Sequence, residues 1–411
     1  MPAERKKLPS VLTILLSALG ILISLALAAA SFLGSSLGET SSIETQMFTS
    51  LGALALTLGL LNVPALVYSI RDLRGKESRA KHPSLFRAAN FALILWAALL
   101  AAGTILNRIY PYTPWLAPIT ILCVLIPVWW LIEFARRKLK RPAPLYEWKN
   151  LTVGLTLAPV TIMIIESLIV VLVAVVVIIL LGFTTDSLNS LTNLLDSLEM
   201  SGGGMEQLDQ LLYDLARNPI VASALYLVIG LLAPFTEELF KPLGVWLSWK
   251  RPMPAREGFM LGLISGGAFT LLESASLISQ INANDWLSGV VLRSSTGMLH
   301  IGLSGLVGYG IAKARSEKRW GAMLLTLLGA TGLHGLWNSM TLLNGFSTTA
   351  LPMTESVAAT AGSVISLVTM LLVFAAVLFI TIKLNKKLRL EQAAEQTAEQ
   401  AEIVDIPDQD E

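Results

Sequence analysis

Long apolar runs separated by short polar stretches dominate the pattern of this chain. A run of about 20 apolar residues is long enough to cross the hydrocarbon layer of a bilayer as a helix. Ten runs reach that length, at positions 11–33, 51–70, 86–106, 116–135, 157–183, 220–248, 258–278, 289–312, 320–343 and 357–382. The pattern therefore predicts an all-α fold, a polytopic membrane bundle of about ten transmembrane helices.

The composition agrees with this prediction and excludes several classes of protein. Hydrophobic residues make up 54% of the chain and charged residues 14%, against roughly 45–50% and 25% in soluble domains. The 30 basic and 29 acidic residues nearly cancel, so we expect no nucleic-acid partner. Cys123 is the single cysteine, which excludes an intrachain disulfide and a metal cluster built on cysteines.

Basic residues concentrate in alternate loops, which predicts the orientation of the bundle. They cluster at positions 5–7, 71–87, 136–149, 250–256, 313–319 and 383–389, whereas the opposite loops hold little more than Arg108 and Arg217. By the positive-inside rule both termini lie in the cytoplasm. We expect a multi-pass protein of the cell membrane, surrounded by the lipid bilayer.

Two polar segments outside the spans complete the expected organisation. Leucines recur at helical spacing on both sides of Gly202–Gly204, which predicts an extracytoplasmic amphipathic hairpin. We expect six regions: an N-terminal four-helix membrane region (1–150), a fifth transmembrane helix (151–183), the hairpin (184–218), a four-helix catalytic core (219–345), a last transmembrane helix (346–390) and an acidic cytoplasmic tail (391–411) that is a frayed helix followed by disorder.

Polar and ionisable residues inside the spans concentrate in four successive helices of the second half. Each charge at a helix centre costs about 2.5–3.5 kcal/mol on insertion scales, so such groups are functional candidates by default. They are Glu237, Glu238, Lys241, Glu273, Arg293, His300, His334 and Asn338. The set contains three carboxylates and two cations. Two ion pairs would therefore leave one carboxylate unpaired, and such a group can act as a general base. The structural alternative is that ion pairs and hydrogen bonds among these residues only hold the bundle together.

Helical spacing predicts which of these side chains share a face. Residues three, four or seven apart do so, which groups Glu237 and Glu238 with Lys241. The same rule places Arg293 on the face of His300, and His334 on that of Asn338. Pro242 has no N–H for the carbonyl of Glu238, so the sixth span should bend there. We expect the polar groups to face one cavity.

Four short motifs in this region resemble the PrsW-type intramembrane proteases. The motifs are EELFK at 237–241, FTLLE at 269–273, the histidine at 300 and HGLWN at 334–338, and the match covers 219–340. These proteases are a branch of the superfamily that includes the type II CAAX prenyl endopeptidases and bacteriocin-processing relatives. The chain departs from the prenyl endopeptidases by carrying Glu273 in place of histidine and Lys241 in place of the usual arginine.

The resemblance implies roles for the site residues. Glu237 and Glu238 would supply the base that activates water, and His334 and Asn338 would steady the oxyanion of the tetrahedral intermediate. His300 completes the expected catalytic set by polarising the same water. Lys241, Glu273 and Arg293 are expected to support that set.

The expected function is hydrolysis of a peptide bond in a membrane-anchored protein or peptide, as in the regulated cleavage of an anti-sigma factor. A proton-coupled transporter would also place ionisable residues at mid-membrane. A catalytically silent member that serves as a binding or immunity protein is a further alternative.

Two other catalytic chemistries are compatible with parts of the sequence. Glu237, Glu238, Glu273, His300 and His334 could supply the mixed ligands of a zinc site. The positive charges of Lys241 and Arg293 oppose a dication, so we expect no tightly bound metal, with zinc as the alternative. A rhomboid-like serine protease would use the GxSG string that contains Ser304 together with His334, but it leaves the EELFK motif without a role.

Overall fold

Every regular element that the structure describes is helical. The computed structural model describes residues 7–37, 41–76, 85–111, 113–182, 218–248, 251, 253–278, 286–349 and 357–404. Its helices are α1 (Leu8–Leu37), α2 (Ser42–Leu73), α3 (Phe86–Ile109), α4 (Leu116–Ala135), α5 (Pro144–Leu155), α6 (Leu157–Gly182), α7 (Pro219–Leu227), a π-helical turn (Val228–Leu232), α8 (Ala233–Phe240), α9 (Leu243–Leu247), α10 (Ala255–Ile278), α11 (Trp286–Glu317), α12 (Trp320–Thr349) and α13 (Val357–Val404). The predicted all-α fold is confirmed.

The ten predicted spans all fall on these helices. Among the described residues, eight helical stretches are long and apolar enough to cross a membrane. The two remaining spans fall on α10 and α12. Residues 258–271 of α10 are buried almost throughout, so this helix has little need of an apolar surface for lipid and can carry glycine and serine. The orientation of the termini stays a prediction.

Contacts divide the chain into two compact units. The first unit lies within Met1–Val160, Leu239–Ala330 and Ala376–Glu411, and the second within Thr161–Glu238 and Thr331–Ala375. The predicted hairpin falls outside the described residues except for its last position. The tail from position 391 was predicted to be a frayed helix followed by disorder, and its described part, up to Val404, is helical.

In the first unit, α10 and α11 are in contact along their backbones. A Cβ atom on Gly262 would lie 2.2 Å from the carbonyl oxygen of Ser304, and one on Gly266 would lie 2.5 Å from that of His300. No real side chain tolerates such distances, so glycine is required at both positions. The helix that carries Glu273 is thus fixed directly against the helix that carries His300.

A proline in α4 explains how α3 and α11 attach to that helix. Pro127 has no N–H to give to the carbonyl of Cys123 four residues earlier. That oxygen accepts instead from Trp96 Nε1 at 2.8 Å and from Ser294 Oγ at 3.1 Å. The carbonyl freed in α4 therefore holds α3 and α11 in place.

Helix α5 links the N-terminal region to α10 and is absent from the predicted spans. The buried side chain of Asn150 donates to the carbonyl of Leu261 at 2.6 Å and to Ser265 Oγ at 2.8 Å. Because both acceptors belong to α10, the N-terminal helices support the helix that carries Glu273.

The last helix is docked to the first unit beyond its apolar part. Leu388 is 1% exposed and packs in the same core as Phe259 of α10. Asn385 Nδ2 donates to the carbonyl of Ala135 at 2.7 Å, and Glu395 forms an ion pair with Arg256. These contacts explain why the helix continues past position 391.

Candidate active site

The paired glutamates lie in α8, which ends as predicted just before Pro242. Lys241 and Pro242 form a turn between α8 and α9. Trp246 Nε1 then donates to the carbonyl of Leu239 at 2.9 Å, near the end of α8. The bend expected from the proline is confirmed.

In the second unit, His334 is held by Glu238. The two side chains are 1% and 0% exposed, and His334 Nδ1 lies 3.0 Å from Glu238 Oε1. An ionised carboxylate only accepts hydrogen bonds, so Nδ1 carries the proton and Nε2 presents its lone pair. Nε2 lies 3.9 Å from Oε2 of Glu237, whose side chain is 13% exposed. An acceptor nitrogen and a more accessible carboxylate oxygen are thereby placed side by side.

Asn338, one turn after His334, bonds to the backbone of the preceding π-helical turn. Its Nδ2 donates to the carbonyl of Ile229 at 3.2 Å. The two residues were predicted to share a face, and both contact the segment 229–238. The π-helical turn itself was not predicted, although Pro234 closely follows Gly230 in the sequence and could have indicated an irregular helix.

In the first unit, four polar side chains form a chain of hydrogen bonds. Lys241 Nζ lies 2.8 Å from His300 Nδ1, and His300 Nε2 lies 2.9 Å from Glu273 Oε2. Arg293 reaches the same carboxylate oxygen at 2.9 Å. A lysine ammonium can only donate, so Nδ1 accepts and Nε2 carries the proton given to Glu273. The predicted face shared by Arg293 and His300 is confirmed by their common partner.

An aromatic ring completes this chain of contacts. Lys241 Nζ lies 4.4 Å from the centre of the Phe269 ring, whose face attracts a cation. The same ring meets the imidazole of His300 edge to face, with 5.4 Å between ring centres. Lys241 is 0% exposed, and its hydrogen bond to His300 was not predicted.

Ser304 lies where α10 and α11 are closest. It is 0% exposed, and its Oγ has no hydrogen-bond partner among the described residues. A serine nucleophile needs a base within hydrogen-bond reach. The surroundings of Ser304 therefore favour a packing role.

The donor set is chemically suited to a metal ion. In the second unit, Glu237 and His334 carry a carboxylate and an imidazole group, and such mixed ligands are those of catalytic zinc sites. The bond from His334 Nδ1 to Glu238 also fits, because metal-bound histidines almost always give their other N–H to a carboxylate, a carbonyl or water. The residues present fit a zinc ion, which was the alternative in the sequence analysis.

The comparisons with known proteins agree with the site. Searches of curated proteins and of solved structures each found no match. The family model described as PrsW family intramembrane metalloprotease matches residues 158–382, more than half of the chain. Members are peptidases that act on membrane-embedded substrates in a lipid environment, and the eight apolar helical stretches make this a multi-pass membrane protein. The chain belongs to the PrsW family of intramembrane metalloproteases.

Proposed function

We propose that this protein is a glutamate-dependent intramembrane endopeptidase that hydrolyses a peptide bond in or next to the membrane. The observation that carries the proposal is the buried Glu238–His334 pair, which leaves His334 Nε2 as an acceptor 3.9 Å from the carboxylate of Glu237. Two acceptors at this separation can hold one water molecule and remove its proton. Attack of that water on a peptide carbonyl is the hydrolytic step.

The proposal gives the two glutamates different roles. Glu237 is the more exposed and serves as the base that touches the water. Glu238 is fully buried and bonded to His334, so it orients the imidazole and stabilises its positive charge when the ring is protonated, as the aspartate of a serine-protease triad does. His334 can then pass the proton to the leaving amide nitrogen.

His334 therefore takes a role other than the one that the resemblance implied. With Nδ1–H directed at Glu238, a neutral His334 has no proton on Nε2 to give to an oxyanion. We propose instead that His334 Nε2 receives from Glu237 the proton taken from the water, and passes it to the leaving nitrogen.

A metal ion is the alternative to this metal-free base. Glu237 and His334 Nε2 would then be two of its ligands instead of proton acceptors, and a zinc ion would act as a Lewis acid on the attacking water. The family description as metalloproteases supports such an ion.

The chain of contacts from Arg293 to Lys241 lies within the first unit and begins, in the sequence, three residues after Glu238. We propose that Glu273 and Arg293 hold His300, and that His300 holds Lys241. The glutamate in place of the histidine of the prenyl endopeptidases is then a support and not a catalytic group.

The substrate that fits this proposal is a single-pass protein or peptide anchored in the cell membrane, for example an anti-sigma factor. The direct test is incubation of the purified protein with candidate single-pass proteins in detergent and in liposomes. We expect one or a few cuts without any ion gradient, and their loss in the Glu237→Gln/Glu238→Gln double variant. Gradient-driven uptake into liposomes that is lost in the same variant, with no fragments, would instead indicate a transporter.

A further inference from the structure

The helix before the catalytic glutamates changes its hydrogen-bond pattern at Pro234. Between Val228 and Leu232 the chain is π-helical, and the N–H of Ala233 bonds to the carbonyl of Val228, five residues back. The next bond in this series would run from residue 234 to the carbonyl of Ile229. Pro234 has no N–H, so this bond cannot form. A carbonyl without a partner inside a protein is costly, and native structures almost always supply one.

Helix α12 supplies that partner. Asn338 Nδ2 donates to the carbonyl of Ile229 at 3.2 Å. The carbonyl of Gly230, which would receive the N–H of residue 234 in an α-helix, faces α12 as well. A Cβ atom on Gly335 would lie only 2.0 Å from this oxygen. The carbonyls of Ile229 and Gly230, which Pro234 leaves without an N–H donor, therefore both lie against the same face of α12.

The same face carries the histidine of the site. His334 precedes Asn338 by four residues, so the two lie one turn apart on α12. Their partners, Glu238 and Ile229, belong to the continuous segment that contains Pro234. The bond at Ile229 and the close approach at Gly230 fix the position of α12 along this segment, and this position places His334 against Glu238.

We propose that Asn338 is a positioning residue that completes the broken π-helical turn and thereby sets the Glu238–His334 pair. It acts through the backbone of residue 229 and does not touch the reacting atoms. This inference rests on the proposed function, because it assigns Asn338 a role other than the oxyanion donor of the same reaction. Asparagine suits this role, because its side-chain amide provides an N–H donor without a charge.

The test is a double-mutant cycle between residues 234 and 338, in which the substitution Pro234→Ala supplies the missing backbone N–H. The chains compared are the wild type, Asn338→Ala, Pro234→Ala and Pro234→Ala/Asn338→Ala, with Thr341→Ala as a control on the exposed side of α12. We expect Asn338→Ala to lower kcat at least tenfold and Tm by at least about 2 °C in the wild-type background. In the Pro234→Ala background both losses should shrink to less than threefold and less than 1 °C, because the backbone N–H gained at position 234 can bond in place of the amide.

An oxyanion donor gives the opposite pattern. Removal of an oxyanion donor would lower kcat by about 10²–10³-fold. The factor would be the same in the wild-type and Pro234→Ala backgrounds, and Tm would be unchanged in both. That result would overturn the proposal. The Tm cycle needs no turnover, so it tests the role of Asn338 even if the proposed protease activity fails.

A spectroscopic measurement covers the case in which Pro234→Ala disturbs α8. The ¹⁵N imidazole signals of the three histidines can be recorded without substrate, with His334→Gln to assign the signal of His334. We expect Asn338→Ala to change the signal of His334 Nδ1, because its bond to Glu238 is loosened. An unchanged signal in a folded Asn338→Ala protein would overturn the proposal independently of the cycle.

Discussion

Glu238 accepts a hydrogen bond from His334 Nδ1 at 3.0 Å, in a place where neither side chain is more than 1% exposed. A buried carboxylate bonded to an imidazole cannot also be open to a substrate. This relationship divides the pair of glutamates, which the sequence presents as equivalent neighbours, into an inner and an outer residue.

Both residues should matter for the chemical step, and the inner one also for stability. We expect Glu237→Gln to lower kcat by about 10³-fold or more, because a general base contributes roughly 10²–10⁴, with Tm unchanged. Glu238→Gln should also lower kcat strongly, because a neutral amide cannot stabilise the protonated imidazole, and it should lower Tm as well, because the buried bond to His334 loses its charge. Both quantities are measured, by cleavage and by thermal unfolding in detergent, with Glu395→Gln as a control at an exposed position. A lower Tm in Glu237→Gln than in Glu238→Gln would reverse the two roles.

A zinc ion at the site should depend on His334. If zinc takes the place of the metal-free base, the purified protein carries about one zinc per chain, and chelation lowers turnover until zinc is restored. His334→Ala should lose the metal, whereas Ser304→Ala should keep it, as measured by elemental analysis. Full turnover of metal-free wild-type protein would support the metal-free base that the charges of Lys241 and Arg293 favour.

Gly266→Ala should disturb the site from a distance. Its Cβ would lie 2.5 Å from the carbonyl oxygen of His300, and overpacking of this kind costs about 1–3 kcal/mol. The backbone of His300 must move, which lengthens the bonds to Lys241 and Glu273. We expect a lower Tm and reduced turnover.

Gly329→Ala is the matched control for this prediction. In the described part of the chain, no atom beyond its chain neighbours and the backbone of its own helix would lie within 4 Å of its Cβ, so the change only adds helix propensity, worth up to about 1 kcal/mol. We expect unchanged turnover and an unchanged or slightly higher Tm. Equal behaviour of the two glycine variants would show that the contact at Gly266 is not critical.

Ser304→Ala should leave turnover intact. The hydroxyl is buried without a hydrogen-bond partner among the described residues, and removal of such a group is close to neutral or stabilising. Cleavage assays and thermal unfolding of the variant check both parts. An inactive but folded Ser304→Ala protein would restore the serine-protease interpretation.

The orientation of the bundle can be tested by cysteine labelling. In a Cys123→Ser background, a cysteine at position 201 should react with an impermeant reagent on intact cells, and one at position 84 only after lysis. The expectation follows from the basic loops. Labelling in the reverse order would contradict the predicted cytoplasmic termini.

The sequence alone was sufficient for the ten long apolar helical stretches and for the break at Pro242, because apolar length and missing N–H groups act locally. Helical spacing also predicted that Arg293 and His300 share a face. It could not predict that both bind Glu273, since spacing describes one helix and not its neighbours. Lys241 illustrates the same limit, because its long side chain reaches a histidine 59 positions away.

Other features depend on contacts that have no local pattern. The support of α10 by Asn150 comes from a loop that appeared only basic, and the helical course of residues 391–404 follows from burial of Leu388. The π-helical turn is stabilised by Asn338, more than a hundred residues later. In each case the decisive partner lies far along the chain.

The backbone contact between α10 and α11 restricts the route by which a substrate can reach the site. A transmembrane segment is about 10–12 Å wide with its side chains, whereas Gly262 leaves no room even for a methyl group in front of Ser304. Lateral passage between these two helices would require separating them along most of their length. A substrate helix therefore cannot enter from the lipid between α10 and α11. It must approach along another side of this helix pair.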